Sequence, residues 1–350
     1  MSTWRDMKRK VEPYTPGEQP KEKDIIKLNT NENPYPPSPK IKTAMEKICN
    51  LRKYPDPAAS DLVEAIASYH GFSKEEVFVG VGSDDVLAIA FMTFFNGKKP
   101  IAFPDITYSF YPVWAELFGI SFETKPLNEK FEIVPEDYYG ENGGVIFPNP
   151  NAPTGALLSL DTVCDIIEHN RDVAVIIDEA YIDFGGVSAK ELTRKYDNVL
   201  VVQTYSKSRS LAGLRIGYAI GNREMIQAMN DVKYSYNSYT MNEPSIVLGK
   251  SVLEDEEYFQ DTRKKIIETR EWFKEEMHKL GFTFADSMAN FIFASHETVL
   301  AKDIFEAARD HKIYVRYFNQ QRIDNFLRIT IGTREEMETL LQFLKEFISL

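Results

Sequence analysis

Lys207 follows the apolar run Val199-Leu200-Val201-Val202, within Gln203-Thr204-Tyr205-Ser206-Lys207-Ser208, and Arg215 comes eight residues later. An amine at the exit of a buried strand, among hydroxyls and near cationic charge, suits a nucleophile that forms a Schiff base with an aldehyde. A lone lysine in that place also reads as an ordinary solvated side chain. The residues elsewhere in the chain separate the two readings.

A second apolar run ends in Asp178-Glu179-Ala180-Tyr181. The carboxyl end of a buried strand is where α/β folds bind their ligands. Asp178 there has two readings: a cap on the next helix, or a partner that keeps a heterocyclic nitrogen protonated, with the Tyr181 hydroxyl beside it. A third segment, Gly80-Val81-Gly82-Ser83-Asp84-Asp85, lies between a strand and a helical run. Its glycines let backbone amides at a helix start face an anion, although a plain turn has the same composition and no GxGxxG signature is present. Ser83, Ser206 and Arg215 together make a phosphate cup. Such a cup, a carboxylate for a ring nitrogen and a lysine for an aldehyde jointly describe pyridoxal 5′-phosphate chemistry.

The elements that must position these groups alternate. Short apolar runs, expected as strands, occur at Glu76–Val79, Pro100–Phe103, Ser121–Lys125, Gly144–Phe147, Val173–Ile177, Val199–Val202 and Gly217–Ile220, with helical stretches between them. Continuous apolar character points to strands covered on both faces, hence a doubly wound, mainly parallel α/β sheet flanked by helices. Residues 1–40, with Pro34, Pro36, Pro37 and Pro39, read as an extended arm without regular structure that also forms part of the smaller domain. Residues 41–245 form the expected large domain, and 246–350 a smaller α+β domain with a long charged helix over Glu256–Leu280.

The bulk numbers set the bounds. A chain of 350 residues is long enough for two lobes. A net charge of −12 disfavours nucleic acid as the main partner, yet leaves room for anionic small molecules held by local arginines. Cys49 and Cys164 are too few for a disulfide framework, and no apolar run reaches membrane-spanning length, so a cytoplasmic protein is expected. The histidines, His70, His169, His278, His296 and His311, lack metal-ligand spacing, and no metal is expected.

Along nearly its whole length the chain resembles the aspartate aminotransferase fold family, and most closely its histidinol-phosphate aminotransferase branch. The resemblance is carried by Leu28-Asn29-Thr30-Asn31-Glu32-Asn33-Pro34, Tyr54-Pro55-Asp56-Pro57, Gly82-Ser83-Asp84-Asp85, Pro153-Thr154-Gly155, Asp178 to Tyr181, Ser206-Lys207 through Arg215, and Leu327 to Thr333. It implies that Lys207 carries the cofactor, Asp178 pairs with the pyridine nitrogen, Tyr181 bonds the ring hydroxyl and Tyr108 stacks on the ring. It implies that Ser83, Asp84, Ser206 and Arg215 surround the phosphate, and that Tyr54 reaches the phosphate of a neighbouring subunit in a homodimer. Arg328 and Arg316 would grip substrate anions, and Tyr14 would help to shape the substrate pocket.

The chain departs from the family pattern in three places. Ala152 stands where an asparagine normally bonds the ring oxygen, which leaves Asn151 or Asn149 to take that contact. Gln203 replaces a common arginine, and Asp105-Ile106-Thr107 is an unusual lead-in to Tyr108. The implied reaction is transamination between histidinol phosphate and 2-oxoglutarate in histidine biosynthesis. An aromatic amino-acid aminotransferase and a phospho-amino-acid decarboxylase are alternatives on the same scaffold, and a cofactor-sensing regulator is a remote one.

Overall fold

A computed structural model describes residues 3–49 and 51–349. The arm is not wholly irregular: Trp4–Met7 forms a helical turn, and Ile26–Lys27 forms β1. The prolines that argue against regular structure lie beyond Lys27, so they do not oppose a strand there. Seven further strands build the main sheet: β2 (Val77–Val81), β3 (Ile101–Pro104), β4 (Phe122–Lys125), β5 (Val145–Pro148), β6 (Val175–Asp178), β7 (Val199–Thr204) and β8 (Ile216–Gly221). Their order is β2-β8-β7-β6-β5-β3-β4. All neighbours are parallel except at β8, which runs antiparallel to both β2 and β7.

The apolar runs divide by alternation. Ile146, Ile176, Leu200 and Val202 face one core with Phe91, Phe103 and Trp114. Val145, Phe147, Val175, Ile177, Val199 and Val201 face another core on the opposite side. Every residue of β5, β6, β7 and β8 is buried, as a sheet sandwiched between helices requires. At the edge, β4 is only partly covered and carries Glu123 and Lys125.

The remaining strands are β9 (Phe282–Phe284), β10 (Phe291–His296), β11 (Ile313–Tyr314), β12 (Arg316–Tyr317) and β13 (Leu327–Thr330). Four of them form a sheet in the order β12-β13-β10-β9, while β11 pairs in parallel with β1 of the arm. The run Ile313-Tyr314-Val315-Arg316 is divided between two sheets at Val315. Its first half holds the arm, and its second half pairs with β13. The helices Glu256–Lys279, Ala301–Asp310 and Arg334–Ile348 cover this sheet. The helix Glu243–Leu253 packs its Ile246 and Val252 with Leu62 and Ile66 of the helix Ser60–His70. Among the described residues no helix is long and apolar enough to cross a membrane.

Arg270 joins the two sheets' surroundings. It is nearly fully buried, and its Nη1 donates to the carbonyls of Phe184 (2.8 Å) and Ala289 (2.9 Å). Removing a buried cation leaves those acceptors without a donor. Arg270→Ala is expected to lower unfolding stability by on the order of 3 kcal/mol, read from urea denaturation. An unchanged midpoint would show that water or neighbouring amides satisfy both carbonyls.

Candidate active site

The site forms where strand ends of the main sheet meet the arm. Asp178 is the last residue of β6 and pairs in register with Val202 of β7. The chain leaves β7 at Thr204 and reaches Lys207 three residues later. Parallel neighbours thus deliver a carboxylate and an amine to the same end of the sheet. Both line a cavity of ≈ 170 Å³, together with Ser83, Tyr108, Tyr181 and Arg215.

One end of the cavity is polar and cationic. Gly82 starts the helix Gly82–Phe94 with a positive φ of 82°, and any Cβ there would run into the Arg215 guanidinium. Gly217 on β8 is equally constrained, because the Gly82–Ser83 backbone passes directly over it. Arg215 Nη2 donates to Asp84 Oδ2 at 2.9 Å, and Nη1 lies 3.5 Å from Ser206 Oγ. Tyr108 donates to the other Asp84 oxygen at 2.7 Å. Asp84 therefore ties the aromatic wall to the cationic end. Helix-start amides, the two hydroxyls and the guanidinium converge as an anion site requires.

Outside the lining of this cavity, Arg316 of β12 and Arg328 of β13 are register partners, and both guanidiniums lie over the Phe318 ring, at 5.5 and 5.7 Å. Burial, aided by the neighbouring Arg316 charge, lowers the Arg328 pKa from the ordinary arginine value. Its Nη2 donates to the carbonyl of Asn29 at 3.0 Å, while its buried Nε has no partner among the described residues. Two adjacent cations with an unused donor are suited to an incoming anion. Tyr14 stacks on Phe110 at 4.2 Å and lines, with Arg316, Thr107 and Pro153, a wider cleft of ≈ 650 Å³.

Of the residues expected to hold the cofactor within one chain, Asn151 is not brought to the cavity, and the expected substrate residues Tyr14, Arg316 and Arg328 do not line it either. Asn151 turns its amide to the Ile106 carbonyl and to Thr154 Oγ1, both at 3.0 Å, and Ala152 lines the cavity instead. Tyr54 is 82% exposed, packs at a tilt against Tyr239 at 4.7 Å, and does not line the cavity of its own chain.

Tertiary structure adds residues that the sequence reading gave no role in the site. Tyr111, in the first turn of the helix Phe110–Phe118, is fully buried beneath Tyr108 and donates to Asp178 Oδ2 at 2.9 Å; its place three residues after Tyr108 was the available signal. The arm contributes most. Lys207 Nζ donates to the Thr30 carbonyl at 3.2 Å. Asn33 Nδ2 bridges the carbonyls of Lys207 and Ser208 at 3.1 and 3.2 Å, and Asn31 Nδ2 donates to Tyr181 OH at 2.9 Å. The asparagine-rich motif was visible as a match, but its contacts were not.

Burial pushes the Asp178 carboxyl from 3.8 up to about 6, with the hydrogen bonds from Tyr111 and the Ala180 amide pulling the other way. Glu179 is driven from 4.5 up to about 7 by burial, against bonds from Ser188, the Ala189 amide and Gln203. A carboxyl whose folded pKa is raised binds its proton more tightly in the folded state. Its stabilising share is complete below the unfolded value and is lost as pH rises through the folded one. The windows are pH 3.8 to about 6 for Asp178 and 4.5 to about 7 for Glu179. Without added cofactor, Glu179→Gln is expected to gain on the order of 3 kcal/mol relative to wild type across its window, and Asp178→Asn a similar amount across its own. Urea midpoints measured against pH check both. Parallel wild-type and variant curves would contradict the burial argument.

Three comparisons bear on this arrangement. The model of the family described as aminotransferase class I and II matches residues 23–344. A protein of Clostridium beijerinckii named histidinol-phosphate aminotransferase is 51% identical over 348 residues, covering 99% of this chain and 97% of the relative. One of the same name from Clostridium acetobutylicum is 52% identical and covers 99% of each. Among solved structures, histidinol-phosphate aminotransferase from Sinorhizobium meliloti in complex with pyridoxal-5′-phosphate superimposes with a TM-score of 0.86 at 23% identity, covering 93% of this chain and 91% of the other. Identity that low supports the fold alone, whereas the family model and the close relatives span nearly the entire sequence. The convergent strand ends, the amine and the carboxylate thus belong to a member of the class I and II aminotransferases.

Proposed function

We propose that this chain transfers the amino group of histidinol phosphate to 2-oxoglutarate, giving imidazole acetol phosphate and glutamate, with pyridoxal 5′-phosphate as cofactor. The observation that carries the reading is the shared cavity of Lys207 and Asp178, reached from adjacent parallel strands. The names of the close relatives supply the substrate.

The residues present fit the cofactor. Asp178 is a buried carboxylate with hydrogen bonds but no cation of its own, which matches a protonated ring nitrogen. Ser83, Asp84, Ser206 and Arg215 would hold the phosphate, with Asp84 also steadying Arg215 and Tyr108. Tyr108 would cover the ring and Tyr181 would meet its oxygen. Pyridoxal 5′-phosphate, when bound, supplies an aldehyde for amine exchange and a cationic ring that draws electrons from the substrate carbon.

Lys207 would anchor the cofactor through its aldehyde, and its neutral Nζ would serve as the base for the proton on the carbon that bears the substrate nitrogen. Asp178 would hold the ring nitrogen in its protonated form. Arg328, with Arg316, grips the phosphate ester of one substrate and a carboxylate of the other, since a guanidinium fork fits both anions. Tyr14 walls the substrate pocket.

The site is completed by a second copy. Tyr54, 82% exposed, lies against exposed Tyr239 and leaves its ring open to a partner. In a cytoplasmic homodimer Tyr54 would reach the partner's cofactor phosphate. Residues 41–245 would then carry the cofactor, and 246–350 would close over the substrate with the arm.

Lys207→Ala is expected to lose turnover and the visible absorption of the loaded enzyme together; retained transamination would refute the assignment. In half-reaction spectroscopy, histidinol phosphate should convert the loaded enzyme far faster than phenylalanine or tyrosine. Comparable rates would favour an aromatic aminotransferase, carbon dioxide release from a phosphorylated amino acid a decarboxylase, and silence with every amine a regulator. The protein should sediment as a dimer, with Tyr54→Phe weakening cofactor binding by about tenfold, the cost of one hydrogen bond to a charged group. A monomer of undiminished affinity would remove Tyr54 from the site.

A further inference from the structure

Asn31 is built into the protein with unusual completeness. It is 1% exposed, although it lies in the arm, and it adopts a left-handed backbone with φ 56°, a conformation that asparagine tolerates better than most residues. Its backbone N–H donates to Thr330 Oγ1 at 3.0 Å, and its carbonyl accepts from Asn290 Nδ2 at 3.0 Å. In the side chain, Oδ1 accepts from Thr330 Oγ1 at 3.0 Å and Nδ2 donates to Tyr181 OH at 2.9 Å.

The network decides which way the amide faces. Thr330 is 2% exposed, and its hydroxyl proton has Asn31 Oδ1 as its acceptor. A flipped amide would present N–H groups to Thr330 and strand that buried proton. With Nδ2 toward Tyr181, the phenol oxygen is used as an acceptor. The phenol's own proton then has no acceptor among the described residues, and Tyr181 lines the cavity. Across the cavity Ala152 offers only a methyl group, and the Asn151 amide is engaged with Ile106 and Thr154. The charged groups beside Tyr181 are Lys207, whose Nζ lies 5.7 Å from the ring centre, and Arg328. Neither accepts a hydrogen bond.

We propose that Asn31 is a positioning residue which, locked by Thr330, forces Tyr181 to donate its proton into the cavity. The acceptor is the ring oxygen of the bound cofactor, a contact that Ala152 cannot make. This rests on the proposed cofactor site. Donation to that oxygen favours its ionised form and lowers the pH at which the visible band of the loaded enzyme titrates.

The test is that pH midpoint, together with the dissociation constant for pyridoxal 5′-phosphate, in wild type, Asn31→Asp, Tyr181→Phe and the double variant. Aspartate at 31 keeps the shape but accepts on both oxygens, so it turns the Tyr181 proton away from the cavity. Asn31→Asp should raise the midpoint by about 1 unit, as Tyr181→Phe does, and the double variant should match either single one. Additive shifts, or an unmoved midpoint in Asn31→Asp while Tyr181→Phe shifts, would overturn the role. Should Asn31→Asp fail to fold, Thr330→Val frees the amide and is expected to raise the midpoint in the same direction; no change there also overturns it. A wild-type chain that shows no visible band with the cofactor defeats the cofactor site itself, and Asn31's role with it.

Discussion

A carboxylate buried at a strand end without a cation is the constraint around which this structure is arranged. Asp178 is 4% exposed, and its only described partners are a tyrosine hydroxyl and a backbone amide. Burying an ionised group costs free energy unless an opposite charge accompanies it, so the folded chain favours a cationic guest there. Tyr111 must be deeply buried to hold Asp178, and Tyr111 in turn packs edge-on beneath Tyr108 at 5.8 Å. The position of the cavity's aromatic wall thus follows from the need to satisfy one acid.

A second unbalanced acid lies directly behind it. Glu179 accepts from Ser188, Ala189 and Gln203, and Gln203 in turn accepts from Tyr218. An arginine at position 203 would place a counter-charge beside Glu179. Here a neutral amide takes that place, and burial then drives the carboxyl pKa up to about 7. Consecutive residues therefore share a cause, the low polarity at the end of β6, but only Asp178 faces the cavity.

The arm links the chemistry of the two sheets. Asn29 accepts from Arg328, Asn31 holds Tyr181, and Thr30 and Asn33 bind the amine and the backbone of the Lys207 segment. Arg316 and Arg328 stand on the smaller sheet, while Asp178 and Lys207 stand at the end of the larger one. A segment of six residues without regular structure, Leu28 to Asn33, touches both. Its placement is secured by β1 against β11 and by Leu28, which is 1% exposed in the smaller core.

Much of this was legible in the linear chain because local chemistry and burial pattern are local properties. Uninterrupted apolar runs required strands covered on both faces, and residues at their carboxyl ends had to gather on one side of a parallel sheet. That logic brings Lys207 and Asp178, which follow or end neighbouring parallel strands, to one side of the sheet. Contacts between residues far apart in sequence were decided only by tertiary packing. Nothing near Asn31 indicates that Thr330, 299 residues away, orients its amide. Asn151 illustrates the converse: its type suited the ring oxygen, yet the carbonyl of Ile106 and the hydroxyl of Thr154 claimed its donors. Residue type determined which groups could do chemistry here, and the direction of each hydrogen bond was settled by whichever buried partner the fold brought within reach.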